Sequence, residues 1–372
     1  MLPKILIFCL DGCAPAYLQQ GVTPNLEAVG RQGFYRLVQA AAPTVTNVNH
    51  ATILTGSFPD KHGVTGNFWY DPQSEARGFV EDPGFVQEET IIDLYARCGG
   101  RAAILTVKGK VVDIFGRGIS LKLSVEKPDP SFFNWLGLKS PPPVASIEAS
   151  IWLLEACYRL LKQDKGIDLI YCTTNDYPFH HFGPETAEGQ RFIKEVDRWI
   201  GLILDLDPDR EVYITADHGM NSKRHLVNMQ KKLEAAGLDV VCVGVIKDRY
   251  KENHPYEEGG ALYLYLRQSS QEETLIQYLK ASPFIDSFYK RQEAALQFHL
   301  PPDRIGDWVL FAPPDVAFAE VEEEELIIPV RTHGSLYERE VPLFALNARR
   351  PAEEYIYTRD IVCYLKQDLT DK

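Results

Sequence analysis

The sequence predicts an α/β fold with a mainly parallel central sheet flanked by helices and a small inserted α+β cap. Short continuous apolar runs, typical of strands buried on both faces, alternate with helical patterns. Such alternation indicates parallel strands joined by helices. From about residue 238 to residue 318 the strands instead flank a single helix. We therefore predict a core of residues 1–234 and 328–372 and a cap of residues 235–327.

The predicted elements follow from these patterns in chain order. Core strands are expected at Lys4–Leu10, Ala102–Val107, Asp168–Thr174, Glu211–Ala216 and Pro342–Leu346. Helices are expected from Pro24 and Thr46 onward and at Thr90–Cys98, Ile147–Lys162, Glu185–Leu204 and Thr358–Gln367. The cap is expected to place strands Val240–Ile246, Ala261–Leu266 and Trp308–Ala312 around helix Gln271–Lys280. Residues 63–83 and 126–143, rich in proline and aromatic residues, are expected to be loops.

Composition excludes several classes of partner. The net charge of −13 argues against a nucleic-acid polymer, although local cations can still hold a small anion. No apolar run has the length of a membrane span, so no membrane partner is expected. The 7 cysteines are scattered, which is typical of reduced thiols and predicts a cytoplasmic protein. The candidate assembly is a homodimer, but the sequence does not determine the oligomeric state.

Three aspartates directly follow predicted core strands: Asp11, Asp176 and Asp217. Ligands of open parallel sheets bind at the carboxyl edge, so these carboxylates are expected to meet there. The alternative for each aspartate alone is a helix N-cap.

Histidines and a threonine extend this set. His180 lies one helical turn after Asp176, His218 is adjacent to Asp217, and His333 lies in a glycine turn. Imidazole and carboxylate ligands without thiolates indicate two divalent ions, with zinc favoured and manganese or iron tolerated. Thr46 begins a helix, where its hydroxyl is a candidate nucleophile. A structural histidine and an N-capping threonine are the simpler alternatives.

Two lysines, Lys108 and Lys110, follow the second core strand. At i and i+2 of an extended segment they would point to the same side and form a two-cation clamp for an anion. The alternative is a solvated strand end.

This ordered set resembles the alkaline phosphatase superfamily, and within it the nucleotide pyrophosphatase/phosphodiesterase and phosphonoacetate hydrolase branches. The resemblance is closest to phosphonoacetate hydrolase, whose Thr-x-Lys-x-Lys segment matches Thr106–Lys110. It covers residues 5–67, 168–220 and 331–346, whereas the cap matches only loosely. The serine nucleophile and arginine clamp of true alkaline phosphatases have no counterpart, which argues against a simple monoesterase.

The resemblance implies a role for each residue. One metal would be held by Asp176, His180 and His333, and the other by Asp11, Thr46, Asp217 and His218. Asn67 would steady a phosphoryl oxygen, and Lys108 and Lys110 would bind the substrate carboxylate. A histidine that the family places next to the cap corresponds to either His225 or His254, and the sequence leaves this choice open.

The expected activity is hydrolysis of phosphonoacetate to acetate and phosphate through a phosphothreonine formed on Thr46. The nearest alternative is a type I phosphodiesterase or nucleotide pyrophosphatase, which would need an aromatic slot for a base. Phe68, Trp69 and Tyr70 are the candidates for that slot, and loop packing is their simpler interpretation. A catalytically silent metal-dependent binder is the alternative from another class.

Overall fold

A computed structural model describes residues 2–119, 121–247 and 249–370 of the chain. The strands of these residues, numbered in chain order, are β1 (Ile5–Cys9), β2 (Phe34–Gln39), β3 (Phe68–Tyr70), β4 (Arg77–Phe79), β5 (Ala102–Thr106), β6 (Leu121–Ser124), β7 (Leu169–Thr173), β8 (Glu211–Thr215), β9 (Asn221–Val227), β10 (Val240–Gly244), β11 (Ala261–Leu266), β12 (Ser287–Lys290), β13 (Trp308–Phe311), β14 (Val316–Phe318), β15 (Glu325–Thr332) and β16 (Glu340–Leu346).

The helices lie between these strands. They are α1 (Pro24–Gln32), α2 (Thr46–Thr55), α3 (Pro59–His62), α4 (Ile91–Arg97), α5 (Gly109–Phe115), α6 (Pro130–Trp135), α7 (Ile147–Gln163), α8 (Tyr177–His181), α9 (Ala187–Leu204), α10 (Met229–Ala235), α11 (Glu272–Ala281), α12 (Arg291–Phe298) and α13 (Asp360–Thr370). Single 3-10 turns occur at Pro15–Tyr17, Pro83–Phe85, Ser269–Gln271, Pro302–Arg304, Leu336–Glu338 and Ala352–Glu354.

The predicted central sheet is confirmed. It has 7 strands in the order β2-β16-β8-β1-β7-β5-β6. The neighbours from β8 to β6 pair in parallel, whereas β16 runs antiparallel to both β8 and β2. Strands β1, β5, β7 and β8 are buried along their whole length, as their continuous apolar sequences require.

The register of the sheet brings the strand ends together. Cys9, the last residue of β1, pairs with Thr173 of β7 and with Thr215 of β8. Thr106 at the end of β5 also pairs with Thr173. The polar residues that follow these strands therefore leave the sheet side by side at one edge.

The cap contains more regular structure than the sequence indicates. Its antiparallel sheet has 4 strands in the order β10-β11-β13-β12, and β12 and α12 were not expected. One face of this sheet joins the main hydrophobic core through side chains such as Val243 and Tyr263. The opposite face packs with α10 and α11 around Leu233 and Leu275. The predicted loops likewise contain β3, β4 and α6, whose three to six residues are too short for a periodic signal.

A small sheet in the order β14-β9-β15 lies where the cap leaves the core. It takes β9 from the predicted core and β14 from the predicted cap, so its pairing crosses the expected boundary. The division at residues 235 and 327 stays a prediction. Among the described residues, the helices lack the length and apolar character needed to cross a bilayer. All seven cysteines are free thiols.

Candidate active site

The three predicted aspartates meet at the carboxyl edge of the sheet. Asp11, Asp176 and Asp217 follow β1, β7 and β8, and all three are buried. Gly12 adopts a φ of 81°, which is accessible to glycine without strain. This conformation lets its backbone N–H donate to Oδ1 of Asp217 over 3.1 Å. This hydrogen bond therefore holds the turn that follows Asp11 next to the carboxylate of Asp217.

A first group of possible metal ligands gathers around Asp176. Its ligand atoms, together with those of His180, His254 and His333, all lie within 4.8 Å of one another. Helix α8 begins directly after Asp176, so His180 returns to the carboxylate after one turn. His333 lies just after β15, and His254 comes from the cap loop between β10 and β11.

A second group consists of Asp11, Asp217 and His218, with ligand atoms again within 4.8 Å of one another. Oγ1 of Thr46 lies 3.3 Å from Nε2 of His218. The ring of His218 stacks on that of His333 with centroids 3.6 Å apart, which places the two groups side by side.

Hydrogen bonds fix the orientation of three histidine rings of the site. Nδ1 of His180, His218 and His333 lies 2.7, 2.9 and 2.6 Å from the carbonyl oxygens of Arg331, Gly219 and Thr44, respectively. Protonation of Nδ1 satisfies each carbonyl and leaves the Nε2 lone pair facing the site. The tautomer is thus inferred from the partner of the ring.

Several buried polar atoms of the site have no hydrogen-bond partner. They are Oδ1 of Asp11, Oδ2 of Asp176 and Asp217, and Nε2 of His180 and His333. Buried acceptors without partners are unfavourable, and a divalent cation would satisfy them together. The residues present therefore fit metal ions. Imidazole and carboxylate donors suit zinc, and they also accept manganese or iron.

The pKa values of the three aspartates also fit a site that binds cations. Burial, together with the charges of Asp176 and Asp217, raises the pKa of Asp11 well above its usual value. Burial also raises the pKa of Asp217 to about 6. Burial opposes ionisation of Asp176 as well, but Lys108 and then His180 outweigh it and hold its pKa well below the usual range. Ionisation of Asp11 and Asp217 is therefore unfavourable unless a further cation lies between the carboxylates.

Two histidines of the site, His218 and His333, are kept neutral. Burial lowers the pKa of His218, and the nearby carboxylate of Asp11 only partly opposes this effect. Burial and the neighbouring His218 lower the pKa of His333 well below its ordinary value. Neutral imidazole is the form that binds a metal, so the site favours the ligating state of both rings.

The two predicted lysines are buried in the site, but their local geometry differs from the prediction. Lys108 is the N-cap of α5 and has an extended backbone, whereas Lys110 belongs to the first turn of the helix, so the two residues do not share one extended segment. The solvated strand end is also wrong, because Lys108 and Lys110 are only 3% and 1% exposed. Nζ of Lys108 lies 3.0 Å from Asp11 Oδ2 and 2.8 Å from Asp176 Oδ1.

Thr46 is the first residue of α2, and the preceding Val45 occupies the N-cap position. The threonine hydroxyl therefore faces His218 and does not cap the helix. Asn67 is buried beside it, and its Oδ1 accepts a hydrogen bond of 3.2 Å from the backbone N–H of Asn47. This contact fixes the orientation of the Asn67 amide next to the start of α2.

The structure distinguishes the two histidines that the sequence left open. His254 belongs to the first metal-ligand group, with its ring centroid 4.4 Å from that of His180. His225 lies on β9, where its side chain is 36% exposed and its Nε2 is 3.8 Å from Asp315 Oδ2. No strand end or helical spacing precedes His254, so sequence patterns gave no signal for it.

The aromatic residues after Asn67 each pack against another ring. Ring centroids are 5.7 Å apart for Phe68 and Phe79, 6.3 Å for Trp69 and Phe85, and 5.0 Å for Tyr70 and Tyr265. The rings of Phe68, Trp69 and Tyr70 therefore pack against neighbouring rings, which is the simpler of the two interpretations made from the sequence. A cavity of about 250 Å³ opens next to Lys108, bordered by Tyr250 and Asn253. Its size is at the lower end for ligand sites and suits a small substrate.

Comparisons with known proteins show which families this chain resembles. A sequence model of type I phosphodiesterase / nucleotide pyrophosphatase matches residues 5–336. An uncharacterized pyrophosphatase/phosphodiesterase of Schizosaccharomyces pombe is 25% identical over 237 residues, covering 58% of this chain and 44% of that protein. Human ectonucleotide pyrophosphatase/phosphodiesterase family member 7 is 26% identical over 235 residues, covering 59% and 48%. The chain thus spans about half the length of the curated relatives it matches.

Solved structures match over a larger part of the chain. The crystal structure of phosphonoacetate hydrolase from Sinorhizobium meliloti 1021 in complex with phosphonoacetate has a TM-score of 0.87 and 30% identity, covering 98% of this chain and 95% of that one. Human ectonucleotide pyrophosphatase / phosphodiesterase 5 has a TM-score of 0.72 and 18% identity, covering 99% and 95%, which shows a shared fold. The alkaline phosphatase-like architecture predicted from the sequence is confirmed.

Proposed function

The chain belongs to the type I phosphodiesterase / nucleotide pyrophosphatase family, and we propose that it is a two-metal hydrolase that cleaves phosphonoacetate to acetate and phosphate. The observation that carries this proposal is the buried pair Lys108 and Lys110 beside two groups of metal ligands. Two ammonium groups at this point suit a substrate with a carboxylate next to its phosphoryl group. A phosphodiester offers no such carboxylate.

The similarity to phosphonoacetate hydrolase supports the same substrate, because it extends over 98% of this chain. The charge balance of the chain is consistent with a small anionic substrate held by local cations. The seven free thiols suit a reducing compartment, and we assign the enzyme to the cytoplasm.

The proposed reaction begins with attack of the Thr46 hydroxyl oxygen on phosphorus. The carbon–phosphorus bond breaks, and its electron pair leaves on the carbon of the acetate fragment, where the carboxylate delocalises it as an enolate. Lys108 and Lys110 stabilise the charge that develops on this carboxylate. Thr46 releases its hydroxyl proton to solvent on attack, and the enolate carbon takes up one proton from solvent to give acetate. Water then attacks the phosphothreonine, which releases phosphate and restores Thr46.

The remaining residues position the phosphoryl group. The Asn67 amide, held next to α2 by Asn47, would bind one phosphoryl oxygen. Asp176, His180, His254 and His333 would hold one divalent ion, and Asp11, Asp217 and His218 would hold the other with Thr46. Such ions supply charge stabilisation and lower the pKa of a bound hydroxyl.

A type I phosphodiesterase or nucleotide pyrophosphatase is the second candidate. The match of residues 5–336 to that family favours it. It would use the same ligands and Thr46, but the packed rings of Phe68, Trp69 and Tyr70 provide no ready slot for a base.

The deciding experiment compares kcat/KM of the zinc-loaded protein for phosphonoacetate and for an aryl-nucleotide phosphodiester. We expect preference for phosphonoacetate, detected as release of acetate and phosphate in equal amounts. Preference for the diester would instead support a type I phosphodiesterase or nucleotide pyrophosphatase. No turnover of either substrate by the metal-loaded protein would indicate a metal-dependent binder.

A further inference from the structure

Tyr250 is a residue of the cap loop that contacts the lysine pair. It follows β10 in the segment that also carries Asn253 and His254. Its side chain is buried, and it borders the cavity beside Lys108. The lysines lie at the start of α5 in the core, whereas the tyrosine lies in the cap.

The ring of Tyr250 is a contact that both ammonium groups share. Nζ of Lys108 lies 5.7 Å from the ring centroid, and Nζ of Lys110 lies 5.3 Å from it. Two like charges at close quarters repel each other. The negative face of an aromatic ring attracts both cations, in addition to the ion pairs that Lys108 makes with Asp11 and Asp176.

Glu126 fixes the ring relative to the lysines. The Tyr250 hydroxyl donates to Oε2 of Glu126 over 2.6 Å, and the backbone N–H of Gly109 donates to the same oxygen over 2.6 Å. Gly109 lies between the two lysines, and a Cβ atom at this position would be only 2.9 Å from that oxygen. One carboxylate thus joins the tyrosine to the backbone that carries the lysine pair.

Arg249 supports the carboxylate from the other side. Its guanidinium lies 3.2 Å from Oε1 of Glu126. This ion pair balances the charge of Glu126, so the acidic side chain can serve as an anchor next to an anion site.

We propose that Tyr250 is a positioning residue that determines the preference for carboxylate-bearing substrates. Its ring, anchored by Glu126, holds Lys108 and Lys110 where a carboxylate can contact both. The inference rests on the proposed function, since it assigns the lysines to a carboxylate, and it adds the cap residue that organises them.

The test measures binding, so it does not depend on turnover. Calorimetry of the zinc-loaded full chain gives Kd for phosphonoformate, which carries a carboxylate, and for methylphosphonate, which does not. The ratio of the two constants reports the carboxylate contact. The variants are Tyr250→Leu, which removes the aromatic face, and Tyr250→Phe, which keeps it. Tyr278→Leu is the matched control, because Tyr278 lies on α11 in the second cluster of the cap.

We expect Tyr250→Leu to reduce the preference for phosphonoformate about tenfold or more, the effect of losing two cation–π contacts. The preference should fall less in Tyr250→Phe, which keeps the ring and loses only the hydroxyl contact to Glu126. It should stay within about threefold of its original value in Tyr278→Leu. If the preference survives in Tyr250→Leu, or falls equally in Tyr250→Phe, the role of Tyr250 would be overturned and the proposed function would still stand. An unsubstituted protein that binds both ligands equally would overturn the lysine clamp and thereby the proposed function.

Discussion

The imidazole rings of His218 and His333 stack with their centroids 3.6 Å apart and their planes 10° from parallel. Each ring belongs to a different group of metal ligands, and each directs its Nε2 into the site. The two groups of possible metal ligands are therefore adjacent, and the stacked neutral rings of His218 and His333 form the boundary between them. The Thr46 hydroxyl lies beside this pair of rings, 3.3 Å from Nε2 of His218.

Removal of the Thr46 hydroxyl should abolish turnover. We expect Thr46→Ala to lower kcat by about 10³-fold or more, because the proposed reaction has no other nucleophile. Thr46→Ser should retain measurable activity, since it keeps the hydroxyl at the start of α2. Turnover of phosphonoacetate and zinc content after dialysis are measured together. A Thr46→Ala protein that keeps both its zinc and its activity would refute the nucleophile assignment.

Lys108 and Lys110 should be needed for substrates that carry a carboxylate and much less for phosphodiesters. We expect Lys108→Ala with Lys110→Ala to lower kcat/KM for phosphonoacetate by about 10³-fold, since two charge-assisted contacts are lost. Cleavage of an aryl phosphodiester should change far less. Replacement of Lys108 also removes its ion pairs to Asp11 and Asp176, so Lys110→Ala alone is measured beside the double variant. Equal losses for both substrates would argue against a carboxylate clamp.

Much of this site could be predicted because it depends on strand ends. Asp11, Asp176 and Asp217 follow apolar runs, and parallel strands in register bring such residues to one edge. His180 and His218 follow these aspartates closely in sequence, so local spacing was sufficient. The lysines were predicted as a pair, but a helix that begins at Gly109 replaced the expected extended segment.

Contributions from the cap could not be predicted in the same way. His254 and Tyr250 lie in a loop between antiparallel strands, and their positions depend on how the cap sheet packs against the core. Loop conformation and sheet packing are long-range effects that leave no periodic pattern in the sequence. The strand Ser287–Lys290 was missed for a related reason, since four residues are too few for a clear alternation.

His254 should contribute to metal affinity. We expect His254→Ala to weaken zinc binding about tenfold or more, because it removes one of the four possible ligand atoms in the group that contains Asp176. His225→Ala is the control, since His225 is partly exposed beside Asp315. Zinc titration against a competing chelator gives both affinities. The assignment would be refuted by equal zinc affinity in the His254 variant and the control.

Protonation of His62 should destabilise the fold at low pH. His62 is buried at the end of α3, where its Nδ1 accepts a hydrogen bond of 3.2 Å from the backbone N–H of Val64. Its Nε2 lies 3.0 Å from Oγ1 of Thr52, which itself donates to the carbonyl of Val48. The neutral ring with a proton on Nε2 satisfies both contacts. A second proton on Nδ1 would face the Val64 N–H.

Burial accordingly lowers the pKa of His62 to about 3 in the folded protein. In the unfolded chain the histidine pKa is about 6.5, so below that pH the unfolded state binds a proton that the folded state does not bind. The contribution of His62 to stability is therefore present above pH 6.5 and decreases as the pH falls toward 3. We expect the free energy of unfolding to lose up to about 1.4 kcal/mol per pH unit through this residue.

Urea unfolding between pH 7 and pH 5, of protein from which metal has been removed by a chelator, measures how the free energy of unfolding depends on pH. His62→Gln should be less stable than the unsubstituted protein at pH 7, but its stability should fall with pH by a slope about one proton smaller. His225→Gln, at a histidine whose side chain is partly exposed, is the matched control substitution. Parallel pH slopes for His62→Gln and the unsubstituted protein would show that His62 takes up its proton equally well in both states.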